Sequence, residues 1–296
     1  MGQPVRRIPA CFQPQACIHR CSIPWPLSAP GCPYAQAYNI PVHADTIRHL
    51  LELNRRFYQT FAQPFAFSRS QLQPGVLRIL NRLPRQVNLL DLGCGSGQLA
   101  QVLAQRGQQG LYVGLDSSFE LLSLARQRLA KRLSVPDGFQ VSFIQADLAE
   151  PGWDELLPLA DFDAVLAFAV LHHLPGKELR TNLLVKIRSL LSGPLAEEDD
   201  GMQGHFILSV WQFLNSSRLR ARIQPWENTG LSPQAVDPGD YLLDWRQGGA
   251  GLRYIHHFES EELTTLAQAC GFQVEEAFHS DGEGGNLSLY QIWGVV

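Results

Sequence analysis

The chain has 296 residues, 45% of them hydrophobic, and a formal net charge of −4. This length and apolar content suffice for one large domain with a sizeable core, and the acidic balance argues against a protein that coats nucleic acid non-specifically. No apolar run approaches the ~20 residues of a membrane span, so we expect no membrane segment. No apolar stretch follows Arg6 and Arg7 either, so we expect no secretory signal and a cytoplasmic protein.

Residues 1–40 are rich in proline, glutamine and cysteine and show no periodicity. This composition predicts a disordered or weakly ordered tail, followed by one domain over 41–296. Four cysteines lie in the tail at irregular gaps: Cys11, Cys17, Cys21 and Cys32. Because these gaps contain no Cys-x-x-Cys pair, we predict no metal site.

A helical pattern starts at Ala44, and a second helix is predicted over 73–83. An apolar strand is predicted over 87–92, and three glycines follow it at every second position. They are Gly93, Gly95 and Gly97. A strand, a glycine turn and a helix allow a nucleotide-like ligand to lie against bare backbone N–H groups, where a Cβ would clash. Dinucleotide folds place the third glycine one residue later, and Asp91 suits a ligand with an amino group better than a pyrophosphate.

Strands and helices alternate after this turn. Apolar patterns predict strands over 111–116, 141–146, 163–168 and 205–211, and a helix over 177–191. The pattern lapses between 212 and 251, which is too long for an ordinary loop and predicts an insertion over the site. A helix over 259–270 and strands over 272–277 and 287–293 follow. Repeated strand–helix units imply a parallel sheet with right-handed crossovers.

Three aspartates lie at or beside the carboxyl ends of successive predicted strands, where open α/β sheets bind their ligands. They are Asp91, Asp116 and Asp147. Asp116 follows Gly97 by 19 residues, close to the spacing of a carboxylate that binds ribose hydroxyls, and Asp147 is predicted to accept from an adenine amino group. The turn and the aspartates together resemble the cofactor motifs of class I S-adenosylmethionine-dependent methyltransferases.

This resemblance implies a doubly wound α/β fold with a mostly parallel, seven-stranded, Rossmann-like sheet and an antiparallel last strand. It implies S-adenosyl-L-methionine as the cofactor and methyl transfer as the activity. The residues predicted to bind the cofactor are Asp91, Gly93, Cys94, Gly95, Gly97, Asp116, Ser117, Asp147, Leu148 and Phe168. A cofactor-binding subunit without transferase activity is the alternative from another functional class.

Four further stretches resemble the tRNA wobble-uridine carboxymethyl methyltransferases. The stretches are Phe57-Tyr58-x-x-Phe61-Ala62 with Ser68-Arg69, Phe162-Asp163 followed by Ala-Val-Leu-His172-His173, Arg253-Tyr254-Ile255-His256, and Gly285-Asn286. The chain departs from that family at Ile255, Leu287 and Leu289, where the family has aromatic residues. The resemblance implies a carboxylate acceptor on tRNA, and a small-molecule acceptor remains the alternative.

The predicted catalytic residues are His172, Arg253, His256 and Arg69. A carboxylate acceptor is ionised at pH 7 and needs no general base, so Arg253 or Arg69 would orient it. A hydroxyl or amine acceptor would need a base, for which His172 or His256 is the candidate. His172 has the alternative role of capping a helix or filling a cavity.

Two groups of basic residues are expected to share a face. Alternation along a strand-like stretch leads us to expect Arg253 and His256 on one face, towards a carboxylate or a phosphate. An extended segment would likewise align Arg218, Arg220 and Arg222. The three arginines then form either a track for phosphates or an ordinary solvated surface.

Overall fold

The computed structural model describes residues 42–69, 71–132, 137–158, 161–192 and 204–296. The predicted tail over 1–40, with its four cysteines, lies outside these residues. Among the helices that the structure describes, none is long and apolar enough to cross a lipid bilayer.

Helices and strands alternate through the first part of the domain. They are α1 (Ala44–Thr60), α2 (Ala62–Ser68), α3 (Pro74–Leu80), β1 (Leu89–Leu92), α4 (Gln98–Gln105), β2 (Gly110–Asp116), α5 (Phe119–Arg132), β3 (Phe139–Gln145), β4 (Ala164–Phe168), α6 (Lys177–Ser189) and β5 (His205–Trp211). A single 3₁₀ turn, Leu171–His173, follows β4.

Short elements then precede the last helix and the last two strands of the main sheet. They are α7 (Ser217–Arg220), β6 (Ile223–Gln224), β7 (Asp240–Trp245), β8 (Gly251–His256), α8 (Ser260–Ala269), β9 (Phe272–Ser280) and β10 (Ser288–Val295). The predicted insertion over 212–251 therefore contains α7, β6 and β7.

The main sheet has seven strands in the order β3-β2-β1-β4-β5-β10-β9. The pairs from β3 to β5 are parallel, and β10 is antiparallel to both of its neighbours. This confirms the predicted Rossmann-like sheet with its antiparallel last strand. All four residues of β1 are buried, as expected of a central parallel strand that is covered on both faces.

The two faces of the sheet carry separate apolar cores. Leu90 and Leu92 point into one core, which includes residues of α6 and α8, and Leu89 points into the other, with residues of α3 and α4. Helices therefore flank both faces of the sheet, and the carboxyl ends of its parallel strands stay free to bind a ligand.

A second, three-stranded antiparallel sheet consists of β6, β7 and β8. Asn54 of α1 connects to this sheet, because its side-chain amide donates to the Tyr254 carbonyl at 3.1 Å and its amide oxygen accepts from the Tyr254 N–H at 2.8 Å. The first helix of the domain and β8 thus hold each other in place beside the carboxyl ends of the main sheet.

Candidate active site

One cavity of about 550 Å³ opens at the carboxyl ends of the central strands, between the main sheet, α1, α2 and the second sheet. Twelve of the fourteen residues predicted from the sequence line it: Arg69, Asp91, Gly93, Cys94, Gly95, Asp116, Ser117, Asp147, Leu148, Phe168, His172 and Arg253. Gly97 and His256 do not line it. The volume lies in the usual range for a small-molecule site.

The glycine turn forms one wall of this cavity. All three glycines have positive φ, 69° at Gly93, 55° at Gly95 and 70° at Gly97. An added Cβ would lie 2.6 Å from a Val170 methyl at Gly93 and 2.7 Å from the Ala125 Cβ at Gly97, but nothing lies within 4 Å at Gly95. Gly97 therefore allows α4 to pack against α5, and Gly95 leaves open space at the cavity wall.

The Asp116 carboxylate connects the end of β2 to this turn. Its two oxygens accept hydrogen bonds from the backbone N–H groups of Gly95 and Ser118, both at 2.9 Å. Burial raises the pKa of Asp116, and the two N–H donors partly offset that effect. Further donors, such as the two hydroxyls of a ribose, would stabilise the ionised carboxylate.

Asp91 is buried below the turn and accepts a hydrogen bond from the Tyr112 hydroxyl. Burial raises the pKa of Asp91 to about 7, although the Tyr112 hydroxyl acts in the opposite direction. A cationic group in the cavity would favour the ionised form of this carboxylate. Asp91 therefore suits a ligand that carries an ammonium group.

Asp147 at the end of β3 is paired with Arg55 of α1. The Arg55 guanidinium donates to one carboxylate oxygen at 2.8 Å, and the Ala149 N–H donates to the other at 3.0 Å. Lone pairs remain on both oxygens, so the predicted contact with an adenine amino group is compatible with this geometry and stays a prediction.

Gln98, at the start of α4, was missed by sequence reasoning. It lines the cavity, and its buried side-chain nitrogen has no hydrogen-bond partner within the part of the chain that the structure describes. A buried donor without a partner is unusual in proteins and suggests that a ligand satisfies it. Together with Asp91, Asp116 and the open space at Gly95, it fits a cofactor with an amino acid moiety and a ribose.

Arg253 forms the opposite side of the cavity. It is 5% exposed, and its guanidinium carbon lies 4.8 Å from the ring centroid of Trp211, 5.4 Å from that of Phe57 and 5.6 Å from that of Trp245. Its Nε has no hydrogen-bond partner among the described residues, and burial lowers its pKa. A buried cation of this kind would be stabilised by an anionic ligand.

Besides Arg55, which is paired with Asp147, four arginines line the cavity, namely Arg69, Arg218, Arg222 and Arg253. Within the described ranges, none of the four forms an ion pair with a carboxylate of the chain. Asp244 also lines this side, but its charge is paired with Arg246 at 2.7 Å. The acceptor side of the cavity therefore has a net positive charge.

The segment that carries Arg218, Arg220 and Arg222 is not extended, so the condition under which the three arginines would share a face is not met. Residues 217–220 form α7 and Arg222 lies in the turn that follows, and Arg218 and Arg222 both line the cavity. Arg220 points elsewhere and donates to the Leu214 carbonyl. Two of the three cations therefore line the cavity, Arg218 from the helix and Arg222 from the turn after it.

His172 is buried, and its Nδ1 accepts from the Trp211 N–H at 3.4 Å. Its proton therefore resides on Nε2. Burial, together with the positive charges of neighbouring groups, lowers the pKa of His172 well below its ordinary value. His172 is thus a neutral donor, which weakens its predicted role as a general base.

The expectation that His256 faces the site is wrong. Residues three apart along a strand point to opposite faces, and β8 directs Arg253 into the cavity and His256 away from it. The His256 ring lies between two carboxylates, with Nδ1 2.7 Å from Asp240 and Nε2 3.0 Å from Glu262. His256 therefore connects β7, β8 and α8.

A protein-family model described as a methyltransferase domain matches residues 89–192 of this chain. Trans-aconitate 2-methyltransferase of Azoarcus sp. (strain BH72) is 38% identical over 236 residues, which are 71% of this chain and 87% of that protein. The chain therefore belongs to the class I S-adenosylmethionine-dependent methyltransferases. It is an enzyme whose cofactor is S-adenosylmethionine.

Two other proteins are similar to this chain, one in structure and one in sequence. The crystal structure of a SAM-dependent methyltransferase from Methanosarcina mazei superimposes with a TM-score of 0.55 at 21% identity, covering 76% of this chain and 99% of that one, and thus shares the fold. The tRNA (carboxymethyluridine(34)-5-O)-methyltransferase of Mus musculus is 27% identical over 156 residues, 51% of this chain but 20% of that protein.

Proposed function

We propose that the chain transfers a methyl group to a carboxylate oxygen of its acceptor. The observation that carries this proposal is the buried guanidinium of Arg253 opposite the cofactor residues, which no carboxylate of the described residues neutralises and whose Nε has no hydrogen-bond partner among them. Arginine presents a planar pair of donors that matches the geometry of a carboxylate. Water cannot neutralise its charge in this buried position, so an anionic acceptor is favoured over a neutral one.

Bound S-adenosylmethionine supplies an electrophilic methyl group, and its transfer to a carboxylate moves no proton. Arg253 orients the carboxylate, and the aromatic rings of Trp211 and Trp245 enclose the guanidinium and exclude water. The neutral His172 holds its proton on Nε2, on the side that Trp211 leaves free. The chain therefore performs the reaction by alignment, without a general base.

A small acid with more than one carboxylate is the acceptor that these residues favour. Arg69, Arg218 and Arg222 add three cations to the same cavity, more than one carboxylate requires. The relative from Azoarcus is named for trans-aconitate, a tricarboxylate, and it aligns with most of this chain. Both observations support a small polycarboxylate.

A modified wobble uridine of tRNA is the second candidate acceptor. The mouse relative is named for carboxymethyluridine, which also presents a carboxylate, and the Arg253-Tyr254-Ile255-His256 stretch resembles its family. The two candidates share the reaction at the carboxylate and differ in what the remaining arginines would contact. The exposed Arg218 would contact a second carboxylate in one case and a phosphate in the other.

The experiment uses S-adenosylmethionine with a labelled methyl group. The protein is incubated with trans-aconitate, with a monocarboxylate such as crotonate, and with total tRNA in separate reactions. We expect label in trans-aconitate, in a form released by mild alkali because methyl esters hydrolyse there. Label that resists alkali would contradict carboxylate transfer, and alkali-labile label in tRNA alone would select the second candidate.

The Arg253→Gln variant tests the residue that carries the proposal. We expect the KM for trans-aconitate to rise at least a hundredfold, because a buried charged hydrogen bond of about 3 kcal/mol is lost. The affinity for the cofactor should stay unchanged. The matched control is Arg106→Gln, an exposed arginine that donates to Asn81 and does not line the cavity.

A further inference from the structure

The Arg55 guanidinium connects α1 to the turn that follows β3. Its Nη1 donates to Glu52, three residues earlier on the same helix, at 3.2 Å, and its Nη2 donates to Asp147 at 2.8 Å. Nη2 also lies 3.7 Å from a carboxylate oxygen of Glu150. Because the guanidinium is a rigid, planar fork, the bond from Nη1 to Glu52 also sets the direction from which Nη2 reaches Asp147.

The helix backbone that carries Arg55 is held in place by the neighbouring residue, Asn54. The Asn54 side chain donates to the Tyr254 carbonyl at 3.1 Å and to the His173 carbonyl at 3.3 Å, and it accepts from the Tyr254 N–H at 2.8 Å. These three bonds fix α1 beside the cavity. Arg55 therefore approaches Asp147 from one defined side.

The two oxygens of Asp147 accept hydrogen bonds from different directions. One accepts from the Ala149 N–H, two residues further along the chain, at 3.0 Å, and the other accepts from Arg55, which is 92 residues distant in sequence. One bond alone would let the plane of the carboxylate rotate, whereas two bonds from different sides fix it. Asp147 and Arg55 both line the cavity, so the remaining lone pairs of the carboxylate keep one orientation there.

Fold stability does not account for this ion pair. The Arg55 side chain is 38% exposed and that of Asp147 is 27% exposed, and an ion pair with this much access to water contributes little to the free energy of unfolding. A fixed carboxylate has a larger effect on ligand selection. An ionised carboxylate only accepts hydrogen bonds, so it pairs with an amino group and repels a carbonyl oxygen.

We infer that Arg55 is a positioning residue that makes Asp147 selective for the 6-amino group of the adenine in S-adenosylmethionine. Arg55 acts through Asp147, because it holds the plane of the carboxylate and leaves the lone pairs on the other side to the base. The consequence is a preference for a cofactor with a 6-amino base over one with a 6-carbonyl base. This inference concerns the cofactor and is independent of the acceptor carboxylate in the proposed function.

The test compares the binding of S-adenosylhomocysteine and S-inosylhomocysteine, in which a 6-carbonyl replaces the 6-amino group, by titration calorimetry without acceptor. We expect the wild type to bind the adenosine compound at least tenfold more tightly. In Arg55→Met this ratio should fall at least threefold, through weaker binding of the adenosine compound alone. Arg55→Lys keeps a charged donor for Asp147, so its ratio should lie closer to that of the wild type.

Two further comparisons separate the action of Arg55 through Asp147 from other effects. Asp147→Asn presents both a donor and an acceptor, so its ratio should approach one, and adding Arg55→Met should not change the ratio further. The matched control is Arg48→Met, an exposed arginine of the same helix that pairs with Asp45 and does not line the cavity. This control should keep the ratio of the wild type.

Three results would overturn the inference. A wild type that binds the two compounds equally would mean that Asp147 does not select the amino group. An Arg55→Met variant that binds both compounds more weakly by the same factor would indicate a merely structural role, and one with the ratio of the wild type would show no role in selection. Because no acceptor is present, a failure to methylate trans-aconitate would contradict the proposed acceptor and leave these binding ratios unaffected.

Discussion

The Tyr112 hydroxyl donates a hydrogen bond to the Asp91 carboxylate, and both side chains are buried below the glycine turn. Tyr112 lies on β2 and Asp91 on β1, next to each other in the sheet. Burial raises the pKa of Asp91 to about 7, and the hydroxyl holds it from rising further. The charge of the Asp91 carboxylate therefore changes within the physiological range of pH.

The affinity for S-adenosylmethionine should rise about fivefold between pH 6 and pH 7. A cationic ligand selects the ionised form of Asp91, and with a pKa of about 7 that form grows from about a tenth to about half of the molecules. Titration calorimetry in two buffers with different ionisation enthalpies should also detect release of nearly one proton per cofactor bound at pH 6.

Two variants test the assignment of this titration to Asp91. Asp91→Asn should bind the cofactor more weakly and without the change between pH 6 and pH 7. Tyr112→Phe should move the rise to higher pH, because the hydroxyl lowers the pKa of Asp91. If Asp91→Asn kept the pH dependence of the wild type, another group would be responsible.

Gly95→Ala should abolish tight cofactor binding, and Gly107→Ala should not. Both glycines have positive φ, and nothing lies within 4 Å of an added Cβ at either position. Each substitution therefore costs about 1–2 kcal/mol of backbone strain. Only Gly95 lines the cavity. We expect equal losses in the free energy of unfolding, measured in urea, and a cofactor affinity at least tenfold lower for Gly95→Ala alone.

The main sheet could be predicted from the sequence because buried parallel strands form continuous apolar runs between turn residues. Strand β5 begins at His205 and ends at Trp211, as expected, and the other predicted strands of the sheet overlap the observed ones. The aspartates at strand ends were found for the same reason, since the topology of a parallel sheet brings successive carboxyl ends to one edge.

The second sheet and α2 were not predicted. Strand β7 contains Asp240 and Asp244 and follows Pro238 and Gly239, so its sequence resembles a loop. Helix α2 has seven residues and includes Pro64, and so short a helix depends on tertiary contacts rather than on propensity. Both elements exist because they pack against neighbours that are distant in the sequence.

The acceptor side of the cavity was predicted less completely than the cofactor side. Trp211 and Trp245 look like core residues in the sequence, and only their approach to Arg253 in space indicates another role. The prediction that His256 shares a face with Arg253 was wrong because successive side chains of a strand alternate between its two faces. The two residues are three positions apart on β8 and therefore point to opposite faces.

Asp116→Ala should lower the affinity for S-adenosylmethionine at least a hundredfold. The carboxylate would lose two hydrogen bonds to ribose hydroxyls, each worth about 1.5–3 kcal/mol for a charged acceptor. Calorimetry measures the effect. Asp163→Ala is the matched control, because Asp163 accepts from the Asn88 N–H at 2.7 Å and lies outside the cavity. A variant Asp116→Ala with the affinity of the wild type would refute the cofactor site.

His256 should stabilise the fold more at low pH than at high pH. Burial and the nearby Arg180 lower its pKa, but the hydrogen bonds that the ring donates to Asp240 and Glu262 outweigh them and raise the pKa above the ordinary value. Because the pKa is higher in the folded state, the stabilisation is complete below the unfolded value of about 6.5 and is lost as the pH rises through the folded value.

The His256→Gln variant measures this contribution by urea unfolding at pH 6 and pH 9. We expect the variant to be less stable than the wild type by about 1–3 kcal/mol at pH 6 and by less at pH 9, because only the imidazolium donates to both carboxylates. Asp237 and His257 also lie near this ring, and both are present in the wild type and in the His256→Gln variant. His279→Gln, an exposed position on β9, is the control and should show no change with pH in its difference from the wild type. A deficit for His256→Gln that grows from pH 6 to pH 9 would mean that the ring stabilises the fold in its neutral form.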